Sequence, residues 1–170
     1  MYSSKETTLE RSVVDPVALR TGLSAVPTPI VIVSGRPVET STPAAIVIGS
    51  FVSVSLDPPL VGFFIGNSST TWPTLRLAER ITVSVLGVGH EELCMLVSKR
   101  SSNMFAGHLW ETDEAGTFSV RGAVLVLNGS VESETPAGDH SFVLVRVHEL
   151  TAGDTTPLVF HDRALRALSS

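Results

Sequence analysis

The chain has 170 residues, of which 43% are hydrophobic and 17% charged, and its 12 basic and 17 acidic side chains give a formal net charge of −5 at pH 7. This is the composition of one folded domain rather than a disordered chain. The acidic balance argues against nucleic acid or an anionic membrane as the main partner, because both require a basic face. Cys94 is the only cysteine, which excludes an intrachain disulfide and a paired-cysteine metal motif and fits a cytoplasmic location.

Residues 1–14 are expected to form a flexible arm, with no apolar signal-peptide core, ahead of a single domain over 15–170. Asp15-Pro16 opens a short helix: aspartate is a good N-cap, proline suits the first turn, and Gly22 is a plausible stop. A strand is expected over 27–33, then a turn-rich segment over 34–43. Residues 44–56 form the next strand, whose end alternates. Val52, Val54 and Leu56 share one face and Phe51, Ser53 and Ser55 the other, a half-buried pattern. Asp57-Pro58-Pro59 interrupts the ladder, and 60–65 reads as a second strand buried on both faces. The whole apolar stretch 44–66 is not a membrane span, since Asp57, two prolines, three serines and a period of two break it. Thr71-Trp72-Pro73 starts a helix running to about 79. A strand over 81–86, a helix over 90–99, a short helical turn over 101–105, and strands over 118–120, 123–132 and 142–150 complete the pattern. Many strands with few short helices point to a closed antiparallel β fold, not to alternating βαβ units.

Gly87-Val88-Gly89 lies between a strand and a helix, where a dinucleotide loop would. Glu92 stands where a third glycine belongs, beside Glu91, and two carboxylates there would repel a pyrophosphate. A tight turn before a dipole-stabilised helix is expected instead. The five histidines, His90, His108, His140, His148 and His161, form no HxH or HxxxH pair, so no metal site is expected. No GxSxG elbow anchors a hydrolase triad. Gly138-Asp139-His140 reads as a hairpin turn, or as a turn that delivers a histidine to a pocket. Ser98-Lys99-Arg100 places cations at a helix C-terminus, where they stabilise the dipole or hold an anion. The hydroxyl-rich run 67–71 is either a polar loop with a cap or part of an anion site. Trp72 and Trp110 are core aromatics or stacking platforms.

Taken in order, the 50–66 stretch, 67–73, 82–86, Phe105-Ala106-Gly107 with Trp110, Gly138-Asp139-His140, and Pro157-Leu158-Val159-Phe160 resemble the flavin reductase-like family over about residues 22–163. The resemblance implies an all-β, antiparallel Greek-key split β-barrel, the FMN-binding split barrel, and a homodimer. It implies reduction of FMN (or FAD) by NADH or NADPH, with the reduced flavin passed to a partner monooxygenase. On this resemblance His140 is the catalytic candidate, with Asp139 orienting it. Gly49, Ser50, Phe51 and Ser53, the loop residues Asn67, Ser68, Ser69 and Thr70, and Phe105 are the flavin-binding candidates. Lys99 or Arg100 would meet the flavin phosphate.

The chain also departs from the family pattern. Ala45, Val47 and Gly49 replace a Gly-x-Thr-x-Ser/Asn pattern, so side-chain hydroxyls are lost and backbone amides around 49–51 are expected to substitute. Asn103-Met104-Phe105 replaces Asp-Arg-Phe, and His161-Asp162-Arg163 stands in place of a Gly-Arg-Tyr-like end. These departures leave two further readings open: a flavin-binding barrel without turnover, or a barrel reused for non-redox chemistry on a small aromatic or apolar metabolite.

Overall fold

A computed structural model describes residues 14–38, 40, 42–113 and 116–168. The expected arm over 1–14 therefore lies, except for Val14, outside the described residues. Helix α1 is Pro16–Leu23, and its start follows the local chemistry: the Asp15 carboxylate accepts from Val17 N at 3.3 Å and Ala18 N at 3.1 Å, with proline in the first turn. Strands β1 (Thr28–Pro29), β2 (Val31–Gly35), β3 (Ala44–Ile48), β4 (Val52–Leu56) and β5 (Pro59–Gly66) follow, then α2 (Trp72–Leu75), β6 (Ile81–Val85) and α3 (Glu91–Ser98). The chain continues through β7 (Trp110–Thr112), β8 (Phe118–Val120), β9 (Leu125–Ala137), β10 (His140–Ala152), β11 (Leu158–His161) and β12 (Ala164–Ala167).

The all-β antiparallel expectation holds. The main sheet has seven strands in the order β3-β2-β6-β9-β10-β5-β4; β1-β11-β12 form a three-stranded sheet and β7-β8 a hairpin. The order of the main sheet explains its curvature. β3 and β4 are its two edges, yet only residues 49–51 separate them in the chain. From Ile48 to Val52 the backbone reaches at most about 14 Å. The edges of a flat seven-stranded sheet would lie about 29 Å apart. The sheet must curl until its edges approach, which makes the barrel.

β2 shows how the barrel is packed. All five of its residues are buried, and alternate side chains enter different cores. Val31 and Val33 join Phe63, Ile81, Val83, Val143 and Val145 in one cluster. Ile32, with Ile30 just before the strand, joins Leu86, Leu93, Val97, Trp110, Val120 and Leu158 in a second, which fastens α3 and the β7-β8 hairpin to the sheet. Each such side chain contributes about 1.5–3 kcal/mol by leaving water.

Several local expectations are corrected. The single strand expected over 44–56 is two strands, because the chain leaves one sheet edge at Ile48 and joins the other at Val52. β4 is not half-buried: as an edge strand it leaves Val52 44%, Val54 45% and Leu56 91% exposed. β5 buries Val61, Phe63 and Ile65 on one face, while on the other Gly62 is buried and Phe64 stays exposed. α2 ends at Leu75 rather than near 79, and 101–105 forms turns, not a helix. β7, β11 and β12 were not foreseen, since each is only three or four residues long.

Candidate functional site

Where the sheet edges meet, a cleft of about 760 Å³ opens between β3, the end of β5, the loop before α2, the end of α3 and the start of β10. Its floor is the β3 backbone with Ala45, Val47 and Gly49, and Ser50 stands at the seam. Val52 pairs with Gly62, so Ser50 falls opposite Phe64, where the β4 ladder has already stopped. The Ser50 hydroxyl replaces the missing rung: it accepts from Phe64 N at 2.9 Å and donates to Phe64 O at 3.1 Å. The N–H groups of Gly49, Ser50 and Phe51 belong to no ladder and have no backbone acceptor among the described residues. Gly49 and Ser50 line the cleft, so their N–H groups remain as donors there.

The next wall is the loop 66–71. Asn67 ties it to the β9-β10 hairpin through its N–H to Asp139 O at 3.0 Å, its amide to Gly138 O at 3.3 Å, and acceptance from Ser141 Oγ at 3.2 Å. Asn67 thus holds the loop and does not itself line the cleft, whereas Ser68, Ser69 and Thr70 do. Ser69 Oγ accepts from Trp72 N at 3.1 Å and starts α2, a task its sequence suggests for Thr71. Arg100, just past α3, donates to Thr70 Oγ1 and lines the same wall. α3 is anchored at its other end by His90, 4% exposed. His90 Nδ1 accepts from Gly87 N at 3.1 Å and its Nε2–H donates to Arg121 O at 3.0 Å, which fixes its tautomer.

His140 occupies the rim. β9 and β10 are joined by Gly138 and Asp139, and Gly138 has φ 69, a conformation glycine takes without strain. Asp139 Oδ1 accepts from His140 Nδ1–H at 2.7 Å. That bond, and then electrostatic attraction to the imidazole, hold the Asp139 carboxyl below the usual carboxylate range. With Nδ1 so engaged, Nε2 is the nitrogen left for a ligand. It lies on the side of Gly66: a Cβ there would sit 3.7 Å from His140 Nε2 and 3.9 Å from Ser68 Oγ. The absence of a side chain at Gly66 keeps the space between imidazole and hydroxyl open.

Gly49, Ser50, Ser68, Ser69, Thr70, Arg100 and His140 are therefore brought together. The remaining candidates lie elsewhere. Phe51 packs against the barrel core, and Ser53 sits on the exposed edge strand β4. Phe105 joins Trp110, 5.0 Å between centroids, and Phe118, at 5.8 Å, in an aromatic cluster. Lys99 faces a neighbouring cavity. Trp72 is buried edge-on to Phe63, and Trp110 donates its indole N–H to Met104 O at 2.7 Å; both are core residues. Thr28 lines the cleft without having been foreseen, since no motif marks it, and Ser98 lines it from the Ser98-Lys99-Arg100 motif, where only the cations were singled out. The turn reading of Gly87-Val88-Gly89 is confirmed by its amides. Gly87 N donates to His90, Val88 N to Thr156 O and Gly89 N to Glu91, which leaves none for a phosphate.

The donor set suits a flavin mononucleotide unit. A guanidinium with three hydroxyls fits a phosphate, an apolar β3 floor fits a ring system, and the N–H groups of Gly49 and Ser50 fit a polar ring edge. Residues 23–169 match the flavin reductase-like domain. A flavin reductase of Pseudomonas putida is 31% identical over 152 residues, spanning 89% of this chain and 89% of that protein. The reductase subunit HsaB of a flavin-dependent monooxygenase from Rhodococcus jostii is 28% identical over 149 residues, 87% of this chain and 75% of that protein. The NADH:FAD oxidoreductase SgcE6 of Streptomyces globisporus, solved with NAD and FAD fragments, superposes with a TM-score of 0.83 at 28% identity over 92% of this chain and 96% of that one.

Proposed function

The chain belongs to the flavin reductase-like domain family, and from that premise we propose that it is an oxidoreductase that reduces FMN or FAD with NADH or NADPH and supplies the reduced flavin to a partner monooxygenase. The observation that carries the reading to these residues is the convergence of Arg100, Ser68, Ser69, Thr70 and His140 on one cleft at the barrel seam. Arg100 and the three hydroxyls hold the flavin phosphate. The N–H groups of Gly49 and Ser50 hold the polar ring edge, in place of the side-chain hydroxyls lost at Ala45 and Val47. A bound flavin supplies the hydride-accepting chemistry. His140, oriented by Asp139, presents Nε2 to the reacting end and can accept or hold a proton there. NADH is the favoured reductant, by analogy with SgcE6.

A monooxygenase partner is supported by the likeness to HsaB, a reductase subunit. A homodimer is supported by the uncovered apolar face of β4, where Val52, Val54 and Leu56 meet water in the single chain. Among the described residues no helix is long and apolar enough to cross a membrane. A cytoplasmic location, where reduced nicotinamide is available, completes the reading.

The test is loss of NADH and NADPH absorbance by the purified chain, with and without added FMN or FAD. Flavin-dependent oxidation is expected, and His140→Ala should lower kcat by about 10²-fold or more, the range for a lost acid–base group. Flavin binding without nicotinamide oxidation would replace this reading with a flavin-binding barrel that does not turn over. Neither binding nor oxidation would end it.

A further inference from the structure

His140 would perform its acid–base role from the tip of a hairpin, where little surrounds it. Its side chain is half exposed and that of Asp139 almost wholly so. A bond between two groups that face water exchanges readily with solvent, so the 2.7 Å contact to Asp139 does not by itself fix the ring. The place of the imidazole is set instead by the segment 138–141, and Asn67 grips that segment three times. Its Nδ2 donates to Gly138 O at 3.3 Å, its backbone N–H donates to Asp139 O at 3.0 Å, and its Oδ1 accepts from Ser141 Oγ at 3.2 Å. These partners lie before, within and after the Asp139-His140 pair.

We propose that Asn67 is a positioning residue for the reaction, holding the His140 ring at the cleft through the segment 138–141, an inference that rests on the acid–base reading of His140. The task needs a side chain that donates to a carbonyl and accepts from a hydroxyl at once. Among side chains of this length only the carboxamide does both, and an aspartate would set a carboxylate against Gly138 O. Asn67 also immediately precedes Ser68, Ser69 and Thr70, which line the wall assigned to the phosphate. One side chain therefore joins that wall to the hairpin tip that carries the imidazole. Gly66, opposite His140 in the β5-β10 ladder, places no side chain between them. A reacting group displaced by about 1 Å can lose about 10²-fold in rate, so this clamp acts on kcat without touching the flavin.

The test uses the full chain as wild type, Asn67→Ala, Ser141→Ala, His140→Ala and the double variant Asn67→Ala/His140→Ala. Asn67 is exposed, so its truncation leaves the core intact, and Ser141→Ala removes one of the same bonds from the other strand. Two readouts are taken: the long-range proton–nitrogen NMR spectrum of the His140 ring in the flavin-free chain, and kcat at saturating flavin and nicotinamide. In Asn67→Ala the ring signals should move toward those of a free imidazole and kcat should fall by about tenfold, with smaller changes of the same kind in Ser141→Ala. Adding Asn67→Ala to His140→Ala should lower kcat no further, since a residue that acts through the imidazole has nothing left to position. Ring signals unmoved in both single variants overturn the inference. So does a kcat loss that persists in the His140→Ala background, or a raised KM for flavin at unchanged kcat, either of which assigns Asn67 to the phosphate loop alone. Wild-type turnover that His140→Ala leaves unaltered overturns the inference while flavin reduction stands. A wild-type chain that oxidises no nicotinamide with any flavin overturns both.

Discussion

Substituting Ser50 by alanine should loosen the seam where the barrel closes. The serine hydroxyl makes two bonds to the Phe64 backbone, at 2.9 and 3.1 Å, in place of a ladder rung that β4 does not supply. Each neutral bond is worth about 0.5–1.5 kcal/mol net. Phe64 is 40% exposed, so water can replace part of what is lost. The expected cost is therefore about 1–2 kcal/mol, which lowers the melting midpoint of a domain of this size by about 3–6 °C. The same change frees 49–51 to move, so FMN affinity should fall several-fold in parallel. Thermal unfolding of the flavin-free chain and an FMN titration read the two effects. Ser50→Cys, which keeps the volume but bonds weakly, should fall between. A midpoint shifted by less than about 1 °C together with unaltered FMN affinity would show that the hydroxyl does not close the seam.

Arg100→Ala should weaken FMN binding by about 10- to 100-fold, the loss of a charged hydrogen-bonding partner, while leaving riboflavin affinity nearly unchanged; equal losses for both flavins would remove Arg100 from the phosphate. Gly129→Ala should destabilise the fold by about 1–3 kcal/mol in urea unfolding, because the new Cβ would stand 2.3 Å from the Arg146 carbonyl oxygen across the β9-β10 pair. Asp139→Asn should lower the melting midpoint relative to wild type, with the full difference present above about pH 4. The folded carboxyl is held low by its bond from His140. Its contribution is therefore complete above the unfolded value and disappears as pH falls through the folded one, so the two melting curves should converge in stronger acid; curves that stay parallel to low pH would refute it.

Much of the architecture was legible in the chain because its causes are local. The Asp15 cap and Pro16, the apolar pattern of 81–85 and the Gly138-Asp139 turn each act within a few residues, and each element formed close to where it was expected. The order of the flavin-linked motifs reached further, to the fold class and to the family. Short strands escaped. β11 and β12 are four residues each and gain their stability from one another and from β1, which no local window contains.

The site was legible in type but not in membership. Ser68, Ser69, Thr70 and His140 were marked by chemistry and position and do line one cleft. Phe51 and Phe105 were marked by the same motifs and pack, partly buried, against the two hydrophobic clusters outside the lining of that cleft. Lys99 and Arg100 are equivalent in sequence, and one left-handed φ sends them into different cavities.

Composition, periodicity and turn chemistry thus determined on their own that this is an antiparallel β domain with its polar chemistry gathered on a few loops. Tertiary structure alone decided which of those loops meet. The two sheet edges are joined by three residues, so the sheet had to curl, and that closure set β3 with Ala45, Val47 and Gly49 against the end of β5, while the pairing of β5 with β10, Gly66 opposite His140, brought the 67–71 loop to His140. Closure of this kind is a property of strand order, which depends on pairings between residues far apart in the chain and leaves no local mark.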